Sequence, residues 1–267
     1  MGGDYPSIQA ALDATTGDIG LSICNEHYYE NVVYNDRSVT IQSIAGGDTT
    51  WLDGERNGPV FTVSGTGTET LTLNGVSLMN GDGGAILATN MSVVLANSWV
   101  YDNEGAGVIA PTVTLTGTHF HDNRDVAVRA EMATADDDVI LGPGFDVTAL
   151  DAAGDLWVGS GDFNSGSVAG SNLTLVQSGT SDPAGDVASG GTLTNSILDG
   201  AFGPTVAELL YTDAFGSPQV LSTGSFSADP MFAETVNYSL GPNSPCVDAG
   251  TGADPDGSPA DLGWLPL

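Results

Sequence analysis

Hydrophobic and polar positions repeat in step along three consecutive stretches of the chain, "LTLNGVSLMNGDGGAIL", "VVLANSWVYDNEGAGVI" and "VTLTGTHFHDNRDVAV". Laid over one another, the stretches share three apolar columns, each of which advances by 22 and then by 20 residues. The columns contain Leu73, Leu95 and Leu115, then Leu78, Val100 and Phe120, then Ile86, Val108 and Val128. Between the columns apolar and polar residues alternate, as in a strand with one buried face.

This repeat predicts an all-β fold, a β-solenoid in which each coil pairs with the next and the apolar columns stack into a core. Coils of roughly 20 to 26 residues, placed between residues 20 and 225, give about nine coils. Between residues 131 and 170 the repeat is blurred, and we expect longer corners there. Gly81, Asn103 and Asn123 share one corner column, where we expect a left-handed bend because Gly and Asn tolerate positive φ.

Both ends of the chain predict caps for this solenoid. In "DYPSIQAALDATTGD" the apolar residues fall on one face of a short helix, which ends at Gly17 and covers the edge of the first coil. The helix face consists of Ile8, Ala11 and Leu12. At the other end, prolines prevent the tail from extending the sheet. The tail residues that we expect to seal the last coil are Phe232, Tyr238, Leu240 and Cys246.

The same two ends resemble known proteins. The runs "YPSIQAALDA", "HYYENVVYNDRSVTIQS" and "TTWLDGERNGPVFTV" resemble the opening of right-handed parallel β-helix proteins of the pectate-lyase-like superfamily. The closing run resembles the end segment labelled choice-of-anchor Q in bacterial surface and secreted β-helix proteins. Its matching residues are Asp229, Pro230, Phe232, Tyr238, Leu240, Ser244, Pro245, Asp248, Ala249, Gly250, Asp261 and Gly263. The resemblance implies a single-stranded right-handed parallel β-helix over residues 1–225, a tail packed on it over residues 226–267, an extracellular setting and contact with polysaccharide.

The charge of the chain excludes some classes of partner. Four Arg, no Lys and 34 Asp plus Glu give a formal net charge of −30. Nucleic acid is excluded because phosphate binding depends on Lys and Arg. The same charge disfavours polyanionic sugars unless cations bridge the repulsion. Solubility in salty surroundings or an acidic secreted proteome accounts for the charge, and a cation-loaded surface is the alternative interpretation. No run of apolar residues is long enough for a membrane span.

One outward surface of the predicted coils carries candidate binding residues. Stacking of the coils places His119 over Trp99 and His121 over Tyr101. The complete candidate set is Trp99, Tyr101, Asp102, His119, His121 and Asp122. Aromatic side chains beside carboxylates suit sugar rings, whose hydroxyls bond to polar groups. The alternatives are a cross-strand ladder that only stabilises the sheet, coverage of this face by a loop, and a metal site on the two His, for which a third ligand is not evident.

A second candidate site lies in "GTGADPDGSPADLG", where Asp254, Asp256 and Asp261 surround a glycine turn. Oxygen-rich loops of this kind suit Ca²⁺, and a plain Asp-rich turn is the alternative. The acidic run "ADDDV" further upstream is interpreted as a solvated corner. Cys24 and Cys246 lie near opposite ends of the chain, so we expect two separate buried thiols and no disulfide.

The residues that catalysis in this superfamily requires are largely missing. The resemblance implies that a lyase would use Lys or Arg as its base, with Ca²⁺ held by Asp. The chain has no Lys, and we expect Arg56 to form a local ion pair with Asp53 and Glu55, and Arg124 to face solvent. The paired-Asp pattern of pectin methylesterases and the Asp signatures of polygalacturonases are absent. We therefore assign no catalytic residue.

The sequence predicts a non-catalytic extracellular or cell-surface β-helix module, either a structural scaffold or a glycan-binding module. Its expected partner is a polysaccharide or cell-surface glycan, Ca²⁺ is the candidate cofactor, and we expect a monomer. The alternative is a carbohydrate-active enzyme, a polysaccharide lyase or glycoside hydrolase, acting on a neutral or Ca-bridged polysaccharide. A subunit of a fibre or spike would need exposed apolar faces, and the outward columns are too acidic for it. We expect secretion although no signal peptide is evident, because such a segment is commonly trimmed.

Overall fold

The fold is described by a computed structural model, which covers residues 5–142, 144–159, 164–177, 190–200, 208–216 and 221–263. These residues form an all-β parallel β-solenoid of about nine turns with a single short α-helix, which confirms the predicted fold class. The chain divides into two units, Met1–Ala133 and Thr134–Leu267. The boundary expected between residues 225 and 226 stays a prediction.

Most helices and strands of both units are short. The first unit contains α1 (Ile8–Asp13), β1 (Ile19–Ile23), β2 (His27–Tyr29), β3 (Val32–Asn35), β4 (Val39–Ser43), a 3₁₀ turn (Gly47–Thr49), β5 (Trp51–Asp53), β6 (Phe61–Ser64), β7 (Thr70–Asn74), β8 (Ser77–Met79), β9 (Ile86–Thr89), β10 (Ser92–Ala96), β11 (Trp99–Tyr101), β12 (Val108–Ile109), β13 (Thr112–Thr116), β14 (His119–His121) and β15 (Val128–Asp136), which runs past its end. The second unit continues with β16 (Val139–Leu141), β17 (Phe145–Ala153), β18 (Leu156–Gly159), β19 (Asn164–Ser171), β20 (Thr174–Gln177), β21 (Gly191–Thr194), β22 (Ile197–Asp199), β23 (Glu208–Leu210) and β24 (Asp213–Phe215).

Three short strands make each turn of the first unit, and each strand pairs in parallel with its counterpart in the next turn. The stacks run in the orders β1-β4-β7-β10-β13, β2-β5-β8-β11-β14 and β3-β6-β9-β12-β15. The three predicted apolar columns are strand partners in register: Leu73, Leu95 and Leu115; Leu78, Val100 and Phe120; Ile86, Val108 and Val128. All nine side chains are buried, so these columns form the core of the unit as predicted.

The corner after the second strand differs from the prediction by one residue. The residues with positive φ are Asn80, Asp102 and Asp122, at 55°, 55° and 53°. Asn103 is buried instead, and its amide joins neighbouring turns. Its Oδ1 accepts the Gly81 N–H at 2.8 Å, and its Nδ2 donates to Asn123 Oδ1, also at 2.8 Å. The left-handed bend is therefore present, but assigning it to the Gly81, Asn103 and Asn123 column was wrong, because that column forms an internal amide ladder.

The N-terminal helix is held on the first turns by two charged side chains from the connections that flank β3. The buried face is the predicted one, Ile8, Ala11 and Leu12. The Glu30 carboxylate accepts the first two helical N–H groups, both at 2.9 Å, which a helix start otherwise leaves unpaired. At the other end the Arg37 guanidinium donates to two carbonyl oxygens at 2.8 and 2.9 Å. The helix ends at Asp13 and not at the predicted Gly17.

The second unit has two stacks of parallel strands. One stack runs β16-β18-β20-β22-β24 and the other β17-β19-β21-β23. Strands β17 and β19 contain nine and eight residues, against three to five in most strands of the first unit. These long strands replace pairs of short strands and their corner, and they account for the blurred repeat that the sequence attributed to longer corners.

The C-terminal tail packs on the last turns of the second unit. A buried cluster of Ile197, Leu240, Cys246 and Leu262 joins the tail to strand β22, with Phe232 packed against it. Tyr238 meets the Phe232 ring edge to face, with the ring centroids 5.2 Å apart. The Asn195 amide bonds to the Thr251 backbone in both directions, at 2.8 and 2.9 Å. Both cysteines are free thiols, and Cys24 is only half-buried, contrary to the prediction.

Candidate functional site

Four outward rings on β11 and β14 form a stacked cluster, here called the aromatic ladder: Trp99, Tyr101, His119 and His121. Trp99 pairs with His119, and their ring centroids lie 4.6 Å apart at an interplanar angle of 19°. Tyr101 pairs with His121 at 4.8 Å and 8°. The residues between them point inward and are fully buried, so both strands are fixed to the core. The stacking is as predicted, whereas a ligand-binding role of these residues stays a prediction.

The stacking determines which part of each ring a ligand can reach. Rings that stack from turn to turn contact each other through their faces. Their edges point away from the core. Trp99 is also in contact with the 3₁₀ turn, because a Cβ atom on Gly47 would come within 3.1 Å of its ring. Ser77 Oγ holds this turn in place by donating to the Gly47 carbonyl at 2.9 Å. The geometry therefore favours the stabilising ladder, with polar ring edges left for any ligand.

The backbone conformation explains why aspartates occupy the two positions at the end of the ladder. Asp102 and Asp122 both adopt positive φ at the corner, and Asp tolerates this conformation better than most residues. The Asp122 carboxylate lies 3.0 Å from His121 Nδ1, and its side chain is 77% exposed. Asp102 is exposed as well. Both carboxylates are accessible to solvent beside the ladder.

Two rings of the aromatic ladder, His119 and Tyr101, have shifted pKa values, and both are neutral at pH 7. Burial lowers the pKa of His119, and the neighbouring His121 lowers it further. Burial also raises the pKa of the Tyr101 phenol, and the charge of Asp102 acts in the same direction. The Tyr101 hydroxyl donates to the Met79 sulfur at 3.3 Å. Neutral imidazole and phenol groups can both donate and accept hydrogen bonds, which matches sugar hydroxyls better than charged groups would.

The sequence missed an extension of the ladder onto earlier turns. His27 pairs with Trp51 and Trp51 with Ser77, in the same column as Trp99. The His27 and Tyr29 rings stack at 4.2 Å. Successive members of this column are 24, 26, 22 and 20 residues apart. An alignment that uses only the last two steps therefore does not include His27 and Trp51. An alternating aromatic pattern in "HYY" and "TTW" is the signal that could have revealed it.

A buried carboxylate organises this earlier part of the face. Asp53 is 6% exposed. Its Oδ2 lies 3.0 Å from His27 Nε2 and accepts the Asn80 amide at 3.0 Å, while its Oδ1 accepts the Glu55 N–H at 2.8 Å. Three partners from three turns therefore share one carboxylate. Asp53 is a structural anchor and does not pair with Arg56 as expected.

All four arginines have protein partners. Arg56 and Arg124 both bind Glu104, the second at 3.0 Å, and Arg129 binds Asp125 at 3.2 Å. Arg37 binds the end of α1, as described above. The expectation of a local ion pair for Arg56 was wrong because its partner comes from a later turn. Every Arg, all four of which lie among the described residues, is thus engaged with the protein itself, and none is dedicated to an anionic sugar.

The predicted calcium residues are engaged in the turn that contains them. Asp254 Oδ2 accepts the Asp261 N–H at 3.1 Å, and Asp261 Oδ1 accepts the Asp248 N–H at 2.7 Å. Asp256 Oδ1 accepts the N–H and the hydroxyl of Ser258 at 2.9 and 2.7 Å. Across the described ranges, no group of three or more His, Cys, Asp or Glu side chains is arranged to hold a metal ion. These contacts resemble the plain Asp-rich turn more than a cation site.

Two further acids are buried inside the second unit. One of them, Asp138, belongs to the run "ADDDV" that was predicted to be a solvated corner, and the prediction holds only for the exposed Asp136 and Asp137. Asp138 is fully buried and Asp155 is 6% exposed. They occupy equivalent positions in consecutive turns, because the residues after them, Val139 and Leu156, are strand partners. Asp155 Oδ1 accepts the Asp138 N–H at 2.9 Å, while Asp155 Oδ2 has no hydrogen-bond partner. Burial raises the pKa of Asp155 to about 8, and the charge of Asp138 adds to the effect.

Comparison with known proteins adds no family. The chain matches neither a known protein family nor a curated protein. Among the described residues, no helix has the length and apolar character that a membrane crossing requires.

Proposed function

We propose that this protein is a non-catalytic extracellular or cell-surface module whose β-solenoid serves as a scaffold. The proposal includes membership of the pectate-lyase-like superfamily, with an end segment of the choice-of-anchor Q type. The N-terminal resemblance and the closing run support this assignment, and so do the structural roles of their motif residues. Glu30 caps α1, and Ser244 Oγ donates to the Pro230 carbonyl in the tail. Each motif therefore stabilises its own end of the fold.

One observation carries the proposal. The Arg side chains, which a lyase of this superfamily would use as its base, and two of the three His are engaged in contacts with other groups of the protein. Each Arg binds a carboxylate or a helix end, His27 binds the buried Asp53, and His119 stacks on Trp99. A lyase of this superfamily would need an unengaged base beside its substrate. A scaffold needs these contacts and no such base.

A second function, contact with a neutral glycan, is favoured by the polar edge of the aromatic ladder. Tyr101 and His121 present ring edges there, with the exposed carboxylates of Asp102 and Asp122 at the same corner. Carboxylates, phenol hydroxyls and imidazole nitrogens bond well to sugar hydroxyls. Since the ring faces are engaged in stacking, this contact would depend on hydrogen bonds more than on ring stacking.

A glycan array combined with a polysaccharide-degradation screen, each run with and without Ca²⁺, tests both functions. We expect no cleavage under any condition, and binding, where seen, only to neutral glycans. Trp99→Ala together with Tyr101→Ala should then abolish the binding. The matched control is Val33→Ala with Leu87→Ala, two exposed apolar residues in another stack of the same unit.

The outcomes separate the alternatives. Release of oligosaccharides by the wild-type chain would replace the scaffold proposal with the carbohydrate-active enzyme. Glycan binding that survives loss of both ladder rings would place the contact elsewhere on the molecule. Absence of binding and of cleavage would leave the scaffold as the function and remove the glycan contact.

A further inference from the structure

Strand β1 leaves one of its edges unpaired. Among the described strands it pairs only with β4, and Ile19 donates its N–H to the Ser38 carbonyl at 3.1 Å. Because alternate residues of a strand direct their backbone groups to opposite edges, the N–H and C=O groups of Gly20 and Ser22 point away from β4. Within the described residues these groups have no hydrogen-bond partner. The strand contains neither Pro nor a charged residue, which edge strands commonly use to prevent further pairing.

The inward side chains of β1 are incompletely covered. Ile19 and Leu21 are strand partners of Val39 and Ile41, so they belong to the same inward columns. Val39 and Ile41 are fully buried, whereas Ile19 and Leu21 stay partly exposed. Removing the remaining apolar surface of these two side chains from water is favourable. The open edge therefore offers apolar contacts in addition to hydrogen bonds.

A groove lies between α1 and β1, in the position that a further strand beside β1 would occupy. Its volume is about 340 Å³, and its lining contains no charged side chain. Residues of α1 form one wall, and Leu21 belongs to the other. Just after β1 the Tyr28 hydroxyl accepts the Cys24 N–H at 3.0 Å and donates to the Cys24 carbonyl at 3.3 Å. Tyr28 thus closes the edge at that end and leaves it open at Gly20 and Ser22.

The chain covers comparable strand edges with its own groups. On β3 the Gln9 side chain accepts the Val33 N–H at 2.8 Å and donates to the Val33 carbonyl at 3.1 Å. On β24 of the second unit, Ala214 donates its N–H to the Phe226 carbonyl at 3.0 Å, and Phe226 donates to the Thr212 carbonyl at 3.1 Å. The longer edge is thus covered by backbone groups. The edge of β1 suits another extended backbone in the same way, since a strand matches its donors and acceptors.

The charge around this edge indicates which kind of segment can bind. Asp18 lies directly before β1 and Glu26 follows it, and both residues are exposed. Burial raises the pKa of Tyr28, and the charge of Glu26 acts in the same direction, so this acid influences a residue that lines the groove. Two copies of a chain with a net charge of −30 repel each other. A segment with Lys or Arg beside an apolar residue is attracted instead.

We propose that β1 binds an extended cationic segment of another protein by strand addition. The backbone of that segment pairs with Gly20 and Ser22. One of its apolar side chains enters the groove over Leu21, and its basic side chains lie near Asp18 and Glu26. The site uses none of the residues of the aromatic ladder, so it is independent of the proposed glycan contact.

A fluorescently labelled peptide of alternating Val and Lys tests the proposal in an anisotropy titration. We expect the wild-type chain to bind it, and the same peptide with Glu in place of Lys to bind at least about tenfold more weakly. Ser22→Pro removes an N–H of the open edge, and the pairing of β1 with β4 does not use that group. This variant should bind the Val and Lys peptide at least about tenfold more weakly. Ser22→Ala keeps the N–H, so it is the matched control and should bind as the wild-type chain does.

Hydrogen exchange gives a second measurement that needs no variant. In the wild-type chain, the peptide should slow exchange at the Gly20 and Ser22 amides. Circular dichroism verifies that each variant is folded, and Gly20→Pro replaces Ser22→Pro if the latter is not. The proposal is supported if exchange slows at these amides and the Pro variant loses affinity that Ser22→Ala keeps.

The other outcomes overturn it. Absence of peptide binding, or unchanged exchange at the Gly20 and Ser22 amides, would show that no strand is added. Equal binding by Ser22→Pro and the wild-type chain would mean that charge alone attracts the peptide, and an equal loss in Ser22→Ala would assign the contact to the side chain. Amides that are protected without peptide would mean that the chain itself covers the edge in a monomer, or that a second copy does if sedimentation shows a dimer.

Discussion

The buried acid Asp155 should make the second unit less stable as pH rises, which is the opposite of the usual effect of structural carboxylates. Its pKa is raised from an ordinary 3.8 to about 8, so folding favours the protonated acid. The stabilisation by the proton is complete below pH 3.8, falls as pH rises towards about 8, and is absent above it. At about 1.4 kcal/mol for each pH unit, the contribution of Asp155 to stability falls by about 6 kcal/mol across that window. The charges that face Asp155 are those of Asp136, Asp137 and Asp138, and all act against its ionisation.

Asp155→Asn removes this dependence while keeping the fold. The amide oxygen can still accept the Asp138 N–H, as Asp155 Oδ1 does at 2.9 Å, and the amide group stays neutral at every pH. We expect the variant to resemble the wild-type chain at pH 4 and to be more stable by several kcal/mol at pH 9. Urea unfolding at pH 4, 6, 7 and 9 measures the free energy, and hydrogen exchange in β16 and β18 assigns the change to this unit.

Asp137→Asn is the matched control because Asp137 is an exposed acid in the run whose charges act on Asp155. It removes one charge near Asp155 and should reproduce only a small part of the effect. The reasoning is refuted if Asp155→Asn and the wild-type chain lose the same stability between pH 4 and pH 9. It is also refuted if the Asp137→Asn variant gains as much as Asp155→Asn at pH 9, since the cause would then be net charge.

Three further results are expected from the contacts described above. Glu30→Gln should cost about 1–2 kcal/mol in urea unfolding because two helical N–H groups lose a charged acceptor, whereas the exposed Glu26→Gln should be neutral. Asn103→Leu should cost about 2 kcal/mol by leaving buried partners of the amide ladder unpaired, and a loss below about 0.5 kcal/mol would contradict the structural role of that ladder. Excess EDTA should leave the thermal melt unchanged, because Asp254 and Asp261 accept backbone N–H groups in the absence of an ion; a lower melting temperature would restore calcium as a ligand.

The inward columns could be predicted from the sequence because burial requires the same residue type at every step. Leu78, Val100 and Phe120 have no alternative to the core, so their spacing fixes the register of the turns. The residue that adopts the left-handed bend could not be predicted with the same accuracy, since Asp and Asn both tolerate positive φ. Asp102 takes the bend and Asn103 points inward, because an amide can both donate and accept a hydrogen bond and a carboxylate can only accept. The choice depends on hydrogen-bond partners in the neighbouring turns, which the local sequence does not contain.

The candidate site was predictable in part for the same reason. The stacks of the aromatic ladder follow directly from strand register, so they could be derived from equal steps. The partner of Arg56 and the cover over Trp99 could not, because Glu104 and Gly47 come from turns whose corners differ in length. Corner length in a solenoid is set by each loop separately, and contacts made by loops therefore lie outside the repeat.

The column that precedes the second strand of each turn explains why a protonated acid belongs inside this fold. In that column Ser98 Oγ donates to the Ala96 carbonyl at 2.7 Å in the first unit, and Ser196 Oγ donates to the Thr194 carbonyl at 2.9 Å in the second. Asp155 occupies the equivalent position, one residue before its strand.

The two serine hydroxyls also accept an N–H from the previous turn, that of Val76 at 3.3 Å and that of Leu173 at 3.2 Å, and Asp155 Oδ1 accepts the Asp138 N–H in the same way at 2.9 Å. The role of donor is not shared, because Asp155 Oδ2 has no hydrogen-bond partner. A neutral acid can therefore take the accepting role of serine in this column, and Asp155→Ser should remove the same part of the pH dependence as Asp155→Asn.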